Sequence, residues 1–262
     1  MDVELDALHV ESAGAGPPLV LLHGWALHGG LFASVVHAFA RTHRVHVVDL
    51  PGHGYSAPLR PWTPDRVVDA LDKRFGAGER VRVLGWSLGG SIAMHWAHRS
   101  PYLIERMLLV CTTPKFVAAS DWPQGIEAAT LQRFADELRV AFGPTLLRFL
   151  TLQTRGSQSA HASLVALRSD LLARGDPDRA ALDAGLAALR DLDLRDVAAR
   201  LPQPAMVIGG PRDTLVPLGA CEWLASALPK GTLVAIDGAG HVPFLSHRDR
   251  FLAAALPFFD GD

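Results

Sequence analysis

The sequence predicts an α/β fold: a mostly parallel central sheet flanked by helices, with a helical cap inserted late in the chain. Three observations carry this reading. Short apolar runs recur, each closed by Gly, Pro or Asp and followed by a longer helical pattern, which is how strand–helix units around a parallel sheet read. The first four runs are apolar on both faces, as suits strands covered by helices on each side. Between the fourth and fifth runs, about ninety residues lose every strand signal and are dominated by helix formers.

The runs are LVLLHG from Leu19, VHVVDLPG from Val45, VRVLGWSLGG from Val81, RMLLVCTTP from Arg106, AMVIGGPRD from Ala205 and TLVAIDGAGH from Thr232. The helical stretch contains LQRFADELRVAF and PTLLRFLTLQT, with apolar stripes through Phe134, Leu138 and Phe142 and through Leu146, Phe149 and Leu150. These stripes are expected to seat the cap on the core, with some members also lining a pocket beneath it. From Ala173 to Arg200, Leu182, Leu186, Leu189 and Leu192 keep an approximate helical repeat, so a solvated helix is expected rather than a tether. The expected division is core 1–113, cap 114–195 and core 196–262.

At 262 residues, with 49% hydrophobic and 20% charged residues, the chain can bury a large core and is not disordered over most of its length. A net charge of −2 gives no field to recruit nucleic acid or an anionic membrane. Cys111 and Cys221 are far apart and lack ligand spacing, so neither a disulfide framework nor a metal site is indicated. The start, MDVELDALHVESAG, has no basic and apolar leader, and the most apolar stretch is interrupted by His23, His28 and glycines. A monomeric, cytoplasmic protein that binds neither membrane nor nucleic acid is expected.

GWSLG matches G-x-S-x-G, with the strand VRVLG running in and the helical pattern LGGSIAMHWAHR running out. A serine on that sharp turn presents its Oγ above the sheet, and Gly85 and Gly89 keep its surroundings small. Ser87 is therefore the candidate nucleophile. Serine needs a base, and the base an orienting carboxylate, both later in the chain for this layout. His241, in DGAGHVPF just after the sixth strand, is the candidate base, and Asp213, ending the fifth strand in GGPRD, the candidate acid. Asp237 competes for the acid role, but it precedes His241 by only four residues and leaves little chain to wrap around the ring. His247 reads as a solvated or capping residue at a helix start, and His95 with His98 lacks a third ligand. The oxyanion donors expected are the N–H of Leu88, after the nucleophile, and that of Trp25 in the HGW loop. DLPGHGYS, from Asp49, is expected to shape the pocket wall, and its Gly-x-Gly opens no dinucleotide site.

HGW, DLPGHGYS, GWSLGG, GGPRD and AGHVPFLSH, in this order, resemble the α/β-hydrolase superfamily across nearly the whole chain. Within it, LVLLHGW, the tryptophan before the serine, TTPKFVAASDWPQGI, RFLTLQTRGS and LRDLDLR resemble the pimeloyl-[acyl-carrier protein] methyl ester esterases of biotin synthesis. That resemblance implies cofactor-free hydrolysis of a methyl ester on a carrier-bound pimeloyl chain. It also implies substrate contacts from Trp25, Leu88 and Phe149, and docking of an acidic carrier on cap arginines. Arg148 falls on a family arginine position, whereas Pro144, His161 and Val165 stand where others are expected; Arg139, Arg155 and Arg168 are the remaining candidates. The alternatives are a carboxylesterase or carbon–carbon hydrolase acting on free small molecules, and a non-catalytic ligand-binding relative of the same fold.

Overall fold

The computed structural model describes residues 8–153 and 174–261. Its centre is a seven-stranded sheet of order β1-β3-β2-β4-β5-β6-β7. The strands are β1 (Val10–Ala13), β2 (Pro18–Leu22), β3 (Arg44–Val48), β4 (Val81–Trp86), β5 (Ile104–Val110), β6 (Ala205–Gly209) and β7 (Gly231–Ala235). β1 pairs antiparallel with β3, and every other pairing is parallel.

The six apolar runs each become a strand. β2 is buried throughout, and β4 nearly so, because helices cover both faces of the sheet centre. The strand that the sequence hid is β1, whose four residues VESA include only one large apolar side chain and lie largely exposed on the sheet edge.

The first helices are α1 (Ala33–Phe39), α2 (Pro64–Phe75) and α3 (Leu88–Arg99). α2 starts where the sequence says it should: the Thr63 hydroxyl accepts from the Arg66 N–H at 3.2 Å, Pro64 sits in the first turn, and Lys73 and Arg74 close the last. α3 is buried along most of its length and packs directly on β4 and β5.

Between β5 and β6 run α4 (Ala128–Val140), α5 (Phe142–Gln153) and α6 (Arg179–Asp191). Their base is clasped where the chain leaves and rejoins the sheet. Leu194 N–H donates to Pro114 C=O at 2.8 Å, and Lys115 pairs with Asp193 at 3.1 Å. α6 is not the solvated helix expected. Ala181, Gly185, Leu186, Ala188 and Leu189 are buried, because its alanine-rich inner face lies against the site rather than in water. The chain ends with α7 (Leu218–Ala227), α8 (Pro243–Ser246) and α9 (Arg248–Asp260), with His247 at the start of α9. Among the described residues, no helix is long and apolar enough to cross a membrane.

Candidate active site

The site is assembled at the carboxyl ends of parallel strands. Ser87 follows β4 directly and holds φ 56°, a left-handed conformation that a serine adopts only under constraint. The constraint is visible. Its N–H donates to Val110 C=O at 3.0 Å, and its own carbonyl accepts from the Thr112 hydroxyl at 2.8 Å and the Gly90 N–H at 2.9 Å. The turn also needs bare backbone: a Cβ on Gly85 would lie 2.5 Å from Gly89 O, and one on Gly89 would collide with Leu22 O. Leu88 opens α3, so its N–H is among the helix donors without an intrahelical acceptor. Its side chain is fully buried and is not part of the cavity wall, so the N–H is what Leu88 can offer.

Asp213 and His241 meet in the interior. His241 Nδ1 lies 2.8 Å from Asp213 Oδ2, and the other carboxylate oxygen accepts the N–H groups of Leu215 and Val216, each at 2.9 Å. The carboxylate accepts, so Nδ1 carries the proton and Nε2 is left as the basic nitrogen. The loops bearing the two residues are joined by Arg212 N–H to Ala239 C=O at 3.0 Å. Asp237 is not at the ring, and its carbonyl accepts from Arg250 instead.

Sequence reasoning missed two supports. Trp86, next to Ser87, reaches across to donate its indole N–H to His241 C=O at 2.7 Å. Cys111, at the end of β5, brings a buried thiol to Asp213 and His241, with ligand atoms of all three within 4.8 Å of one another. Burial, with Asp213 close by, raises the thiol pKa far above its usual range, so the group stays protonated. Neither contact has a local sequence signal, since each joins segments more than a hundred residues apart.

The HGW loop stands over Ser87. A Cβ on Gly24 would lie 3.2 Å from Ser87 Cβ and 2.9 Å from the Trp86 ring. Trp25 is fixed from the side of α6, its indole N–H donating to Leu182 C=O at 2.9 Å. DLPGHGYS does not form the pocket wall. It folds behind the HGW loop, where Asp49 accepts from the N–H groups of Gly29 at 2.7 Å and Tyr55 at 2.9 Å and pairs with Arg174 at 2.9 Å. Burial opposes the Asp49 charge, but these N–H donors and Arg174 outweigh it and hold the carboxyl below its usual range. Burial lowers His53 to about 4 and, with His53 adjacent, His23 to about 3, so both rings are neutral.

Ser87 and His241 open into one cavity of about 30 Å³, with Gly24, Trp25, Leu27, Trp86 and Leu215 around them. Phe116, Ile126, Leu131, Phe134, Leu146, Phe149 and Leu189 close it from the side of the inserted helices. Phe149 meets the His241 ring edge-on at 6.1 Å and packs on Phe134 at 4.9 Å. Of the candidate docking arginines, Arg139 pairs with Asp136 at 2.7 Å and also with Asp183, and Arg148 pairs with Glu137. Arg155 and Arg168 lie outside the described residues, as do His161 and Val165.

A family model described as the alpha/beta hydrolase fold matches residues 17–248. The chain belongs to the α/β hydrolases. This α/β hydrolase is 44% identical over 247 residues to the pimeloyl-[acyl-carrier protein] methyl ester esterase of Chromobacterium violaceum, covering 94% of this chain and 96% of the relative. It is 43% identical over 253 residues to the protein of the same name from Xanthomonas campestris, covering 96% and 98%. Among solved structures, an esterase from Exiguobacterium antarcticum superposes with a TM-score of 0.84 at 20% identity, covering 97% of this chain and 96% of that one. A bromoperoxidase from Bacillus anthracis gives 0.84 at 24%, covering 97% and 95%. At those identities the likeness establishes the fold, and differently named enzymes share it.

Proposed function

We propose that this α/β hydrolase is a serine carboxylesterase that cleaves the methyl ester of a pimeloyl chain borne by acyl carrier protein, as in biotin synthesis. The observation that carries the reading is His241, hydrogen-bonded to Asp213 behind it and sharing one apolar cavity with a serine held at positive φ, in a chain that aligns over nearly its whole length with esterases of that name.

In this reading Ser87 Oγ attacks the ester carbonyl while His241 Nε2 takes its proton, and Asp213 holds the imidazolium that forms. The N–H groups of Trp25 and Leu88 receive the oxyanion. Collapse of the tetrahedral species breaks the carbon–methoxy bond, and His241 returns the proton so that methanol leaves. Water, activated by the same histidine, then cleaves the acyl-enzyme and frees the pimeloyl carboxylate with Ser87 restored. Every proton and electron pair is accounted for by these groups and water, so the chemistry calls for no cofactor.

Residues 114–195 act as the cap, with Phe149 and Trp25 against the acyl chain and Arg139 and Arg148 toward the acidic carrier. The pairing of both arginines with cap acids favours a second reading, a carboxylesterase for free small esters that has no need of a carrier.

The deciding experiment offers the purified protein methyl-pimeloyl carrier and p-nitrophenyl butyrate side by side, with Ser87→Ala as control, and tests whether the gene restores biotin-free growth to a strain lacking the esterase. Methanol release from the carrier-bound ester and rescue of growth are expected. Turnover of the free ester alone, without rescue, supports the second reading.

A further inference from the structure

We propose that His23 is a positioning residue for the oxyanion donor: its ring locks the Gly24–Trp25 peptide so that the Trp25 N–H faces the carbonyl attacked by Ser87. The proposal rests on the nucleophile reading above and adds a task that the triad leaves unassigned.

Gly24 C=O and Trp25 N–H belong to the same planar trans unit, so they point in opposite directions, and whatever fixes one aims the other. His23 Nδ1 lies 2.7 Å from Gly24 O. A carbonyl only accepts, so Nδ1 carries the proton and Nε2 is left as an acceptor, which Leu50 N–H fills at 2.8 Å. A single neutral tautomer satisfies both partners.

The ring is fully buried, and its pKa of about 3 keeps that tautomer across the working range of an esterase. A second proton would set Nε2–H against Leu50 N–H. The lock has a reason to exist. Glycine is needed at position 24 because a side chain would strike Trp86 and Ser87, yet glycine also offers the least resistance to a peptide flip. A flipped peptide would present a carbonyl oxygen to the oxyanion, turning a donor into a repulsive partner.

The test uses two variants with similar packing loss. His23→Asn places an amide N–H near the site of Nδ1, and His23→Gln places an acceptor near that of Nε2. His23→Asn is expected to keep kcat within about fivefold, while His23→Gln loses on the order of a hundredfold in kcat with KM little changed, the scale of losing one oxyanion donor. Affinity for a trifluoromethyl ketone, whose adduct carries the oxyanion, falls in step with kcat. Equal losses in the two variants overturn the proposal.

Ser87→Ala separates the two ideas. Undiminished turnover there removes the nucleophile reading itself, whatever the His23 variants do. Should His23→Gln fail to fold, nitrogen-15 spectra of the wild-type protein decide. A protonated Nδ1, no titration between pH 5 and 9, and a Trp25 amide proton shifted downfield by the ketone are expected. A protonated Nε2 or an unmoved Trp25 amide overturns the proposal.

Discussion

The indole N–H of Trp86 donates to the main-chain carbonyl of His241 at 2.7 Å, so the residue before Ser87 holds the loop that carries the imidazole. Strand β4 thereby sets both the serine and its distance from the base. Trp86→Phe keeps an aromatic ring but strands a buried carbonyl, at a cost of about 1–3 kcal/mol. A lower urea midpoint is expected, together with a larger fall in kcat than in KM; kinetics identical to wild type would show that the bond does not position the ring.

Ser87 combines strain with chemistry, and two substitutions separate them. Ser87→Ala removes the hydroxyl and retains the strained φ, so ester turnover is expected to fall at least about a thousandfold with little change in thermal midpoint. Ser87→Gly is equally inactive but relieves the left-handed backbone, and is expected to gain about 1 kcal/mol over the alanine variant by thermal unfolding. Equal midpoints would argue against stored strain.

The buried histidines make stability depend on mild acid. His23 and His53 bind protons near pH 6.5 when unfolded but only near about 3 and about 4 when folded. Their depressed values favour the fold fully above pH 6.5, and the advantage is lost as pH falls from there toward the folded values. The slope is about 1.4 kcal/mol per pH unit for each ring. Asp49, depressed from 3.8, adds to this only at lower pH. Urea denaturation at pH 7 and pH 5 should differ by roughly 4 kcal/mol, and His53→Asn should reduce the difference by about half. A flat profile over that interval contradicts the neutral buried rings.

Much of the candidate site was legible in the sequence because its residues sit at strand ends. Ser87, Asp213 and His241 each follow an apolar run closed by glycine, and the structure places all three around one cavity or one carboxylate. What could not be read was whatever depends on tertiary approach. β1 is short and largely exposed, so it has no burial pattern to display. Alanine and leucine on α6 resembled a solvated helix until Trp25 and the cavity claimed its inner face. DLPGHGYS showed its turn but not its direction, and it braces the HGW loop from behind through Leu50, whose N–H meets His23.

Phe149 lines the cavity beside His241. Phe149→Ala removes an edge-on contact with His241 and enlarges a chamber of about 30 Å³. A stability loss of about 2 kcal/mol is expected for this half-buried ring. Relative kcat/KM for p-nitrophenyl octanoate over butyrate should rise; an unchanged ratio would place the acyl chain elsewhere.

Arg139 and Arg148 test the carrier. The double substitution to alanine should raise KM for the carrier-bound ester several-fold and weaken its salt dependence, while turnover of p-nitrophenyl butyrate stays within about twofold. No change in KM would mean that the pairs with Asp183 and Glu137 consume these charges.

The helices that roof the cavity enter and leave the sheet on adjacent strands, and Pro114 and Leu194 tie their two ends together. Ser87, Asp213 and His241 all lie outside that interval. One contiguous stretch of coding sequence can therefore be exchanged or drift in evolution without touching these three residues. Under the proposed function, the architecture keeps the reacting groups apart from most of the cavity's apolar wall, so selectivity among esters can be altered largely within a single uninterrupted span.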